Sequence, residues 1–267
     1  MPINIDAQTR RMSQAEFADV AYRVMQRIFN VHNQLGRFFD EPVYQQAIAA
    51  GLSQARTEVR IEVWFEGFCK CYFMDLLVEG GAVFELKSVE QLNGRHRAQL
   101  LNYLLLAELP HGKLVNVGPE LVEHEFVNTT LTRANRTRFA IDDSDWNEPP
   151  TDRRGLREVL VAVLRDWGTG LELPLYAEVL THFLGGEALV VRDVDVVVDG
   201  RWIGRQSMCL AAPDAAFQLT QITDAEGLRR FSDHACRLLR HTSLGRIQWI
   251  NITLHQVTFR TLRRQPD

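Results

Sequence analysis

The chain has 267 residues, 46% of them hydrophobic and 24% charged, with a formal net charge of −4 at neutral pH. That composition excludes long disorder and leaves room for one large domain or two modest ones. It contains no apolar run of the roughly 18 residues a membrane helix needs, and the acidic balance excludes a broadly basic nucleic-acid coat while leaving a local nucleic-acid site open. Met1 to Arg11 are polar rather than a basic-then-apolar leader, so a cytoplasmic protein with no membrane partner is expected. The cysteines, Cys69, Cys71, Cys209 and Cys236, lack zinc spacing and read as reduced packing residues. Arginines cluster at Arg10-Arg11, at Arg133, Arg136 and Arg138, at Arg153-Arg154 and at Arg263-Arg264, and read as solvated surface faces.

Ser13 with Ala15-Glu16 opens an expected helix in which Phe17, Val20, Val24, Ile28 and Val31 recur at helical spacing as far as His32, and Gly36 ends it. Asp40 and Pro42 suit the cap and first turn of a second helix over 41–52, where Glu41 and Tyr44 lie three apart and face the same way. Strands are expected over 58–65, 68–78 and 82–89, the first two joined at Glu66-Gly67. Asn93-Gly94 breaks the chain before a helix over 95–107, on which His96, Gln99 and Tyr103 form a polar stripe among leucines. His96 itself reads as a helix-surface histidine, and strands over 113–117 and 122–127 complete an α-β-β-β-α-β-β unit. Residues 129–152, with Asp142-Asp143 and Pro149-Pro150, read as a linker between a first domain over 1–128 and a second over 153–267.

The stretch from Met74 to Ser88 is the chemical centre of the first domain. Two apolar runs flank Gly80-Gly81 as in a β-hairpin, yet Asp75 interrupts the first run and Glu85 and Lys87 the second. Side chains alternate along a strand, so Glu85 and Lys87 share one face while Phe84 and Leu86 point to the other. A three-residue loop, Glu79 to Gly81, places Asp75 opposite Glu85 on that same face; a two-residue loop sends the two carboxylates to opposite faces. The chemical reading therefore also predicts the turn, with a glycine in the left-handed region. Buried carboxylates are costly without compensation. Two readings of Asp75, Glu85 and Lys87 follow: a divalent-metal site, or an ion-pair network that packs the sheet.

An acid on one strand and Glu85-Leu86-Lys87 on the next, preceded by Gly36, Glu41 and Tyr44 and followed by Gln99-Leu100-Leu101-Asn102-Tyr103-Leu104, Asn116 and Gly118, resembles the PD-(D/E)XK nuclease superfamily and, more closely, its GxxExxY branch. The resemblance runs from Phe17 to Val127, with Phe38 standing where that branch usually has a second glycine. It implies an α/β restriction-endonuclease-like core, a mixed sheet flanked by helices. It also implies metal-dependent phosphodiester hydrolysis of nucleic acid, DNA before RNA. On this reading Mg²⁺ (or Mn²⁺) is held by Asp75, Glu85, the Leu86 carbonyl and Glu41. Lys87 orients the attacking water and offsets transition-state charge, and Gln99 and Tyr103 position the scissile phosphate or Lys87. The alternative is a non-catalytic nucleic-acid- or protein-binding module that retains the fold.

The second half repeats the first in disguise. Trp167-Gly168 to Leu173-Pro174-Leu175-Tyr176 echoes Leu35-Gly36 to Glu41-Pro42-Val43-Tyr44 at an offset of 132, and an offset of 133 then holds from about position 195 to the end, placing Gly67 on Gly200 and Gly112 on Gly245. Glu41 maps to Leu173, Asp75 to Met208, Glu85 to Gln218, Lys87 to Thr220 and Gln99 to Ser232. Packing residues persist where acids are gone, so the expectation is a degenerate nuclease-like domain that keeps the fold and holds no divalent ion. Two related domains on one chain suggest a pseudodimeric monomer ahead of a true homodimer.

Overall fold

The structure is a computed structural model that describes residues 3–148 and 154–264. It divides into two compact units, Met1–Arg133 and Ala134–Asp267. The first contains β1 (Ile3–Ile5), α1 (Gln14–Leu35), α2 (Glu41–Ala49), β2 (Ala55–Phe65), β3 (Phe68–Val78), β4 (Ala82–Lys87), α3 (Gly94–Ala107), β5 (His111–Asn116) and β6 (Glu123–Asn128). Its six strands form one sheet in the order β1-β2-β3-β4-β5-β6, with β4 and β5 parallel and the other neighbours antiparallel. A parallel pair needs a crossover, and α3 supplies it.

The helices sit where their apolar faces direct them. A reciprocal capping box starts α1: the Glu16 amide donates to Ser13 Oγ at 3.3 Å while the Ser13 amide donates to the Glu16 carboxylate at 2.7 Å. Phe17, Val24 and Ile28 of α1, with Tyr44 and Ile48 of α2, are buried in one cluster with Phe84 and Leu86 of β4 and Val115 of β5. The alternate residues, Glu85 and Lys87, therefore face the other side of the sheet, where α3 lies. There Leu100 packs so close to β5 that a Cβ on Gly112 would sit 3.0 Å from its Cδ1. The β3–β4 hairpin pairs Leu76 with Phe84, Leu77 with Val83 and Val78 with Ala82, which leaves the expected three-residue loop. Gly80 there has φ +70°, and a Cβ on it would meet the Gln8 carbonyl at 2.8 Å.

After the short helix α4 (Arg133–Arg136), the second unit contains β7 (Ala140–Asp145), α5 (Leu156–Trp167), α6 (Leu173–Phe183), α7 (Glu187–Val190), β8 (Val191–Val198), β9 (Arg201–Ala212), β10 (Ala215–Thr220), α8 (Ala225–His241), β11 (Arg246–Ile252) and β12 (Gln256–Arg263). Its strand order is β7-β12-β11-β10-β9-β8. From β8 to β12 this is the connectivity of β2 to β6, again with the two central strands, β10 and β11, parallel across a helix. The extra strand differs: β1 lies beside β2 in the first unit, and β7 lies beside β12 in the second. Two six-stranded mixed sheets flanked by helices are the duplicated restriction-endonuclease-like architecture that the sequence leads one to expect.

Several expectations need correction. The 129–152 stretch is not a plain linker, since it carries the short helix Arg133–Arg136 and strand β7, which pairs parallel with β12; residues 149–152 lie outside the described residues. An edge strand has few buried positions, so Ala140-Ile141-Asp142-Asp143 showed no apolar alternation. The polar opening stretch contains strand β1, and α2 stops at Ala49 instead of residue 52. Cys69 and Cys71 are unpaired thiols as expected, but exposed on β3 rather than packed. Arg136 is fully buried, its guanidinium donating to the carbonyls of Trp167 and Thr169 at 2.9 and 3.0 Å, so it is no surface arginine; Arg153 lies outside the described residues. The offset of 133 fits β9 and β10 but not β11. Val83 pairs with Gly112 and Ala216 with Ile247, so Ile247, not Gly245, stands for Gly112, two residues having been added before β11. No described helix is long and apolar enough to cross a membrane.

Candidate active site

Asp75 on β3, Glu85 and Lys87 on β4, and Glu41 in the first turn of α2 converge at one point. The Lys87 ammonium donates to Glu85 Oε1 at 2.7 Å and lies 3.8 Å from Asp75 Oδ2 and 3.7 Å from Glu41 Oε1. The hairpin register explains the first two contacts: continuing one step past the Leu76–Phe84 pair sets Asp75 opposite Glu85. Here the sheet ladder gives way to a side chain, since the Leu86 amide donates to Asp75 Oδ2 at 2.7 Å. The loop before α2 is fixed by Tyr44, whose hydroxyl donates to the Gly36 carbonyl at 2.6 Å and accepts from the Phe39 amide at 3.4 Å. That clamp sets the direction in which Glu41 enters.

Three carboxylates around one ammonium, mostly out of water, leave an excess of buried negative charge. Glu85 is fully buried and Asp75 nearly so. Burial, followed by the nearby Asp75 charge, pushes Glu85 up to about 8; burial pushes Asp75 up to about 6 despite the Lys87 charge and the Leu86 amide. Glu41 is raised as well, by burial first. For Lys87, burial pulls downward, but Glu85, Asp75 and Glu41 outweigh it and the net shift is upward, so its ammonium stays charged. Glu85 Oε2 has no hydrogen-bond partner.

Among the described residues no group of three or more His, Cys, Asp or Glu side chains is arranged to hold a metal ion, because the Lys87 ammonium takes the centre between the acids. The donor set nevertheless suits a hard cation. Mg²⁺ is commonly held by one or two carboxylates, with waters and substrate phosphate oxygens completing its shell. A partnerless buried carboxylate oxygen on Glu85, beside Asp75, is the kind of donor that a cation compensates.

Gln99 and Tyr103 are one turn apart on α3 and bond to each other, the Gln99 amide donating to the Tyr103 hydroxyl at 2.8 Å; the close partners of Lys87 are the three acids. Two further residues join the site. Buried Gln45 donates to the Asp75 carbonyl at 2.7 Å and to Glu58 Oε1 at 2.6 Å. Glu58, on β2 with φ +51°, adds negative charge that raises both Asp75 and Glu41. Gln45 had a readable signal, lying four residues after Glu41 on the same helix face. Glu58 had none, because its role depends on β2 pairing with β3. Asn116 closes the β4 end: its side chain accepts from the Val89 amide at 3.1 Å and donates to the Val89 carbonyl at 2.9 Å.

The corresponding place in the second unit is a cleft lined by Leu173, Pro174, Met208, Phe217 and Gln218. Its register puts Ala216 opposite Leu210, hence Met208 opposite Gln218, where the first unit has Asp75 and Glu85. Gln218 is exposed, whereas Glu85 is buried. Thr220, in place of Lys87, is held between the Trp249 indole and Asn251, each at 2.8 Å. The framework bonds persist. Tyr176 donates to the Gly168 carbonyl at 2.6 Å, as Tyr44 does to Gly36, and Asn251 makes to Ile222 the pair of bonds that Asn116 makes to Val89.

Residues 18–128 match the family model of the PD-(D/E)XK nuclease superfamily. No curated protein matches the chain. The solved structure of SSO0001 is similar at 20% identity and a TM-score of 0.28, over 45% of this chain and 64% of its own. The chain thus spans under two thirds of that relative.

Proposed function

We propose that the first unit hydrolyses phosphodiester bonds in nucleic acid, DNA before RNA, with Mg²⁺ or Mn²⁺ held by Asp75, Glu85, the Leu86 carbonyl and Glu41. What carries this reading is the cluster of buried, proton-hungry carboxylates around Lys87, with Glu85 Oε2 unpartnered, inside the segment that matches the superfamily. When bound, the ion supplies a water of lowered pKa and offsets charge on the phosphoryl oxygens. The chain's own residues do the rest. Asp75 is aimed by the Leu86 amide and by Gln45 on its carbonyl. Lys87 stays protonated, so it can hold the attacking water in line and donate to a phosphoryl oxygen as charge develops there. Gln99 and Tyr103, hydrogen-bonded to each other, form a polar pair that can steady the phosphate or Lys87.

On this reading the second unit is a degenerate copy of the GxxExxY type of domain. It serves as scaffold or substrate-binding surface, in a pseudodimeric monomer or a homodimer. Four unpaired thiols suit a reducing compartment, and a cytoplasmic setting belongs to the same proposal. The test is incubation of the purified full chain with labelled single- and double-stranded DNA and RNA in Mg²⁺, Mn²⁺ or EDTA, alongside Asp75→Ala. Cleavage that needs metal and vanishes in the folded Asp75→Ala protein is expected. Equal cleavage by that variant would sink the assignment, and binding without any cleavage would favour a non-catalytic module.

A further inference from the structure

We infer that Phe38 is a stacking platform for an unpaired nucleobase next to the phosphate at the acid cluster, so that the site prefers single-stranded or locally opened nucleic acid; this rests on the nuclease reading. Phe38 is 90% exposed, more than any other large hydrophobic residue described. Its loop is nevertheless well anchored. Tyr44 grips Gly36 and the Phe39 amide, and the Phe39 ring packs edge-on to the Tyr44 ring at 6.4 Å. Ser88 Oγ donates to the Phe39 carbonyl at 3.3 Å. Since Ser88 directly follows Lys87, and Glu41 opens α2 two residues after Phe39, the loop that carries the exposed ring is tied to both sides of the site.

Two observations favour a nucleobase as the occupant. The Arg37 guanidinium lies 5.3 Å from the centroid of the Phe38 ring, so an aromatic face and a cation for the flanking phosphate are presented together. The second unit, which lacks the acids, lacks this device too: at the offset of 132 the places of Arg37 and Phe38 are taken by Thr169, which is buried, and Gly170. The aromatic accompanies the acid set. Bases inside a duplex have both faces covered by their neighbours, so a lone ring can stack only on a base that is unpaired or at an end.

The experiment uses the full chain in EDTA, where nothing is cut, and short DNA and RNA oligonucleotides carrying 2-aminopurine, single-stranded or fully paired. Wild type should quench 2-aminopurine in the single strand. Phe38→Ala should lose the quench and bind the single strand about tenfold more weakly or worse, the effect of removing one stacked base. Its duplex binding and thermal melt should be unchanged, and Phe38→Trp should restore the quench. Unchanged single-strand binding by Phe38→Ala, or equal weakening for strand and duplex, overturns the stacking role; if wild type still cuts in Mg²⁺, the nuclease assignment survives. A wild type that cuts nothing yet shows Phe38-dependent quenching refutes the nuclease and keeps the stacking. Quenching absent in wild type, as expected if Phe38 anchors a protein partner, also overturns it.

Discussion

Glu85→Gln offers a test of the acid cluster that does not depend on turnover. An isolated glutamate gives up its proton near 4.5, while burial and then Asp75 hold Glu85 up to about 8 in the folded protein. Between those values the folded chain binds the proton that the unfolded chain has released, so stability falls as pH rises through this window and levels off above it. Each pH unit in the window costs up to about 1.4 kcal/mol, so from about pH 5 to 8 this one group removes on the order of 4 kcal/mol. Asp75 acts in the same direction between 3.8 and about 6. Glutamine cannot ionise, so Glu85→Gln should lose the slope above about pH 6 and exceed wild type at pH 8 by a few kcal/mol. The opposing effect is Lys87 losing a charged partner. Lys87 keeps Asp75 at 3.8 Å and Glu41 at 3.7 Å, and a glutamine oxygen still accepts its proton, so that loss is the smaller one. Urea unfolding in EDTA across this range measures both proteins, and repeating it with Mg²⁺ should raise wild-type stability at pH 8 and leave the variant unmoved. A wild type with flat stability across the window, or a variant with the same slope, would refute the excess-charge reasoning.

Lys87→Ala should lower kcat about a hundredfold or more while the metal concentration for half-maximal activity moves only a few-fold, because Lys87 is placed here as no ligand; equal losses in both would make it a structural partner of the acids. Gln218→Glu, which restores an acid at the Glu85 position of the second unit, should leave the pH dependence of stability unchanged, because Gln218 is exposed and an exposed carboxylate is not desolvated. Urea unfolding at about pH 5 and 8 checks this, and a new slope would show that the second cleft is closed as tightly as the first.

The hairpin and its charges were readable because they depend on the chain's own neighbours. Alternation fixes the faces of Phe84, Glu85, Leu86 and Lys87, and Gly80-Gly81 marks the loop whose length sets Asp75 across from Glu85. The polar stripe on α3 was readable for the same reason, as a helical period. What depends on distant pairing was not. Glu58 reaches the cluster because β2 lies beside β3, and the bonds that Gln45 makes to Glu58 and to the Asp75 carbonyl depend on that same pairing. β7 was hidden because its partner β12 lies more than a hundred residues away and its exposed edge carries Asp142 and Asp143. The slip of the offset at β11 was hidden because two residues added somewhere between β10 and β11, a stretch that includes α8, leave the helix and strand patterns intact.

The two units show which bonds the fold requires and which the chemistry requires. Tyr44 to Gly36 and Tyr176 to Gly168 are the same bond at the same length, and Asn116 and Asn251 tie down the same strand end. Each satisfies backbone groups that would otherwise be buried without partners, a cost the fold meets whether or not the site is active. The acids are the opposite case. Glu85 is buried with an oxygen unpartnered and is pushed far above its ordinary value, so in the absence of a cation it weakens the unit that carries it. In the second unit the same strand position carries a neutral, exposed glutamine, and the lysine position a threonine whose hydroxyl is satisfied on both sides. A network kept only to pack the sheet has no need of the excess acid, since the second unit packs a sheet of the same strand connectivity without it. In the nuclease proposed above, a bound cation offsets the excess acid of the first unit, a need that packing the sheet does not create.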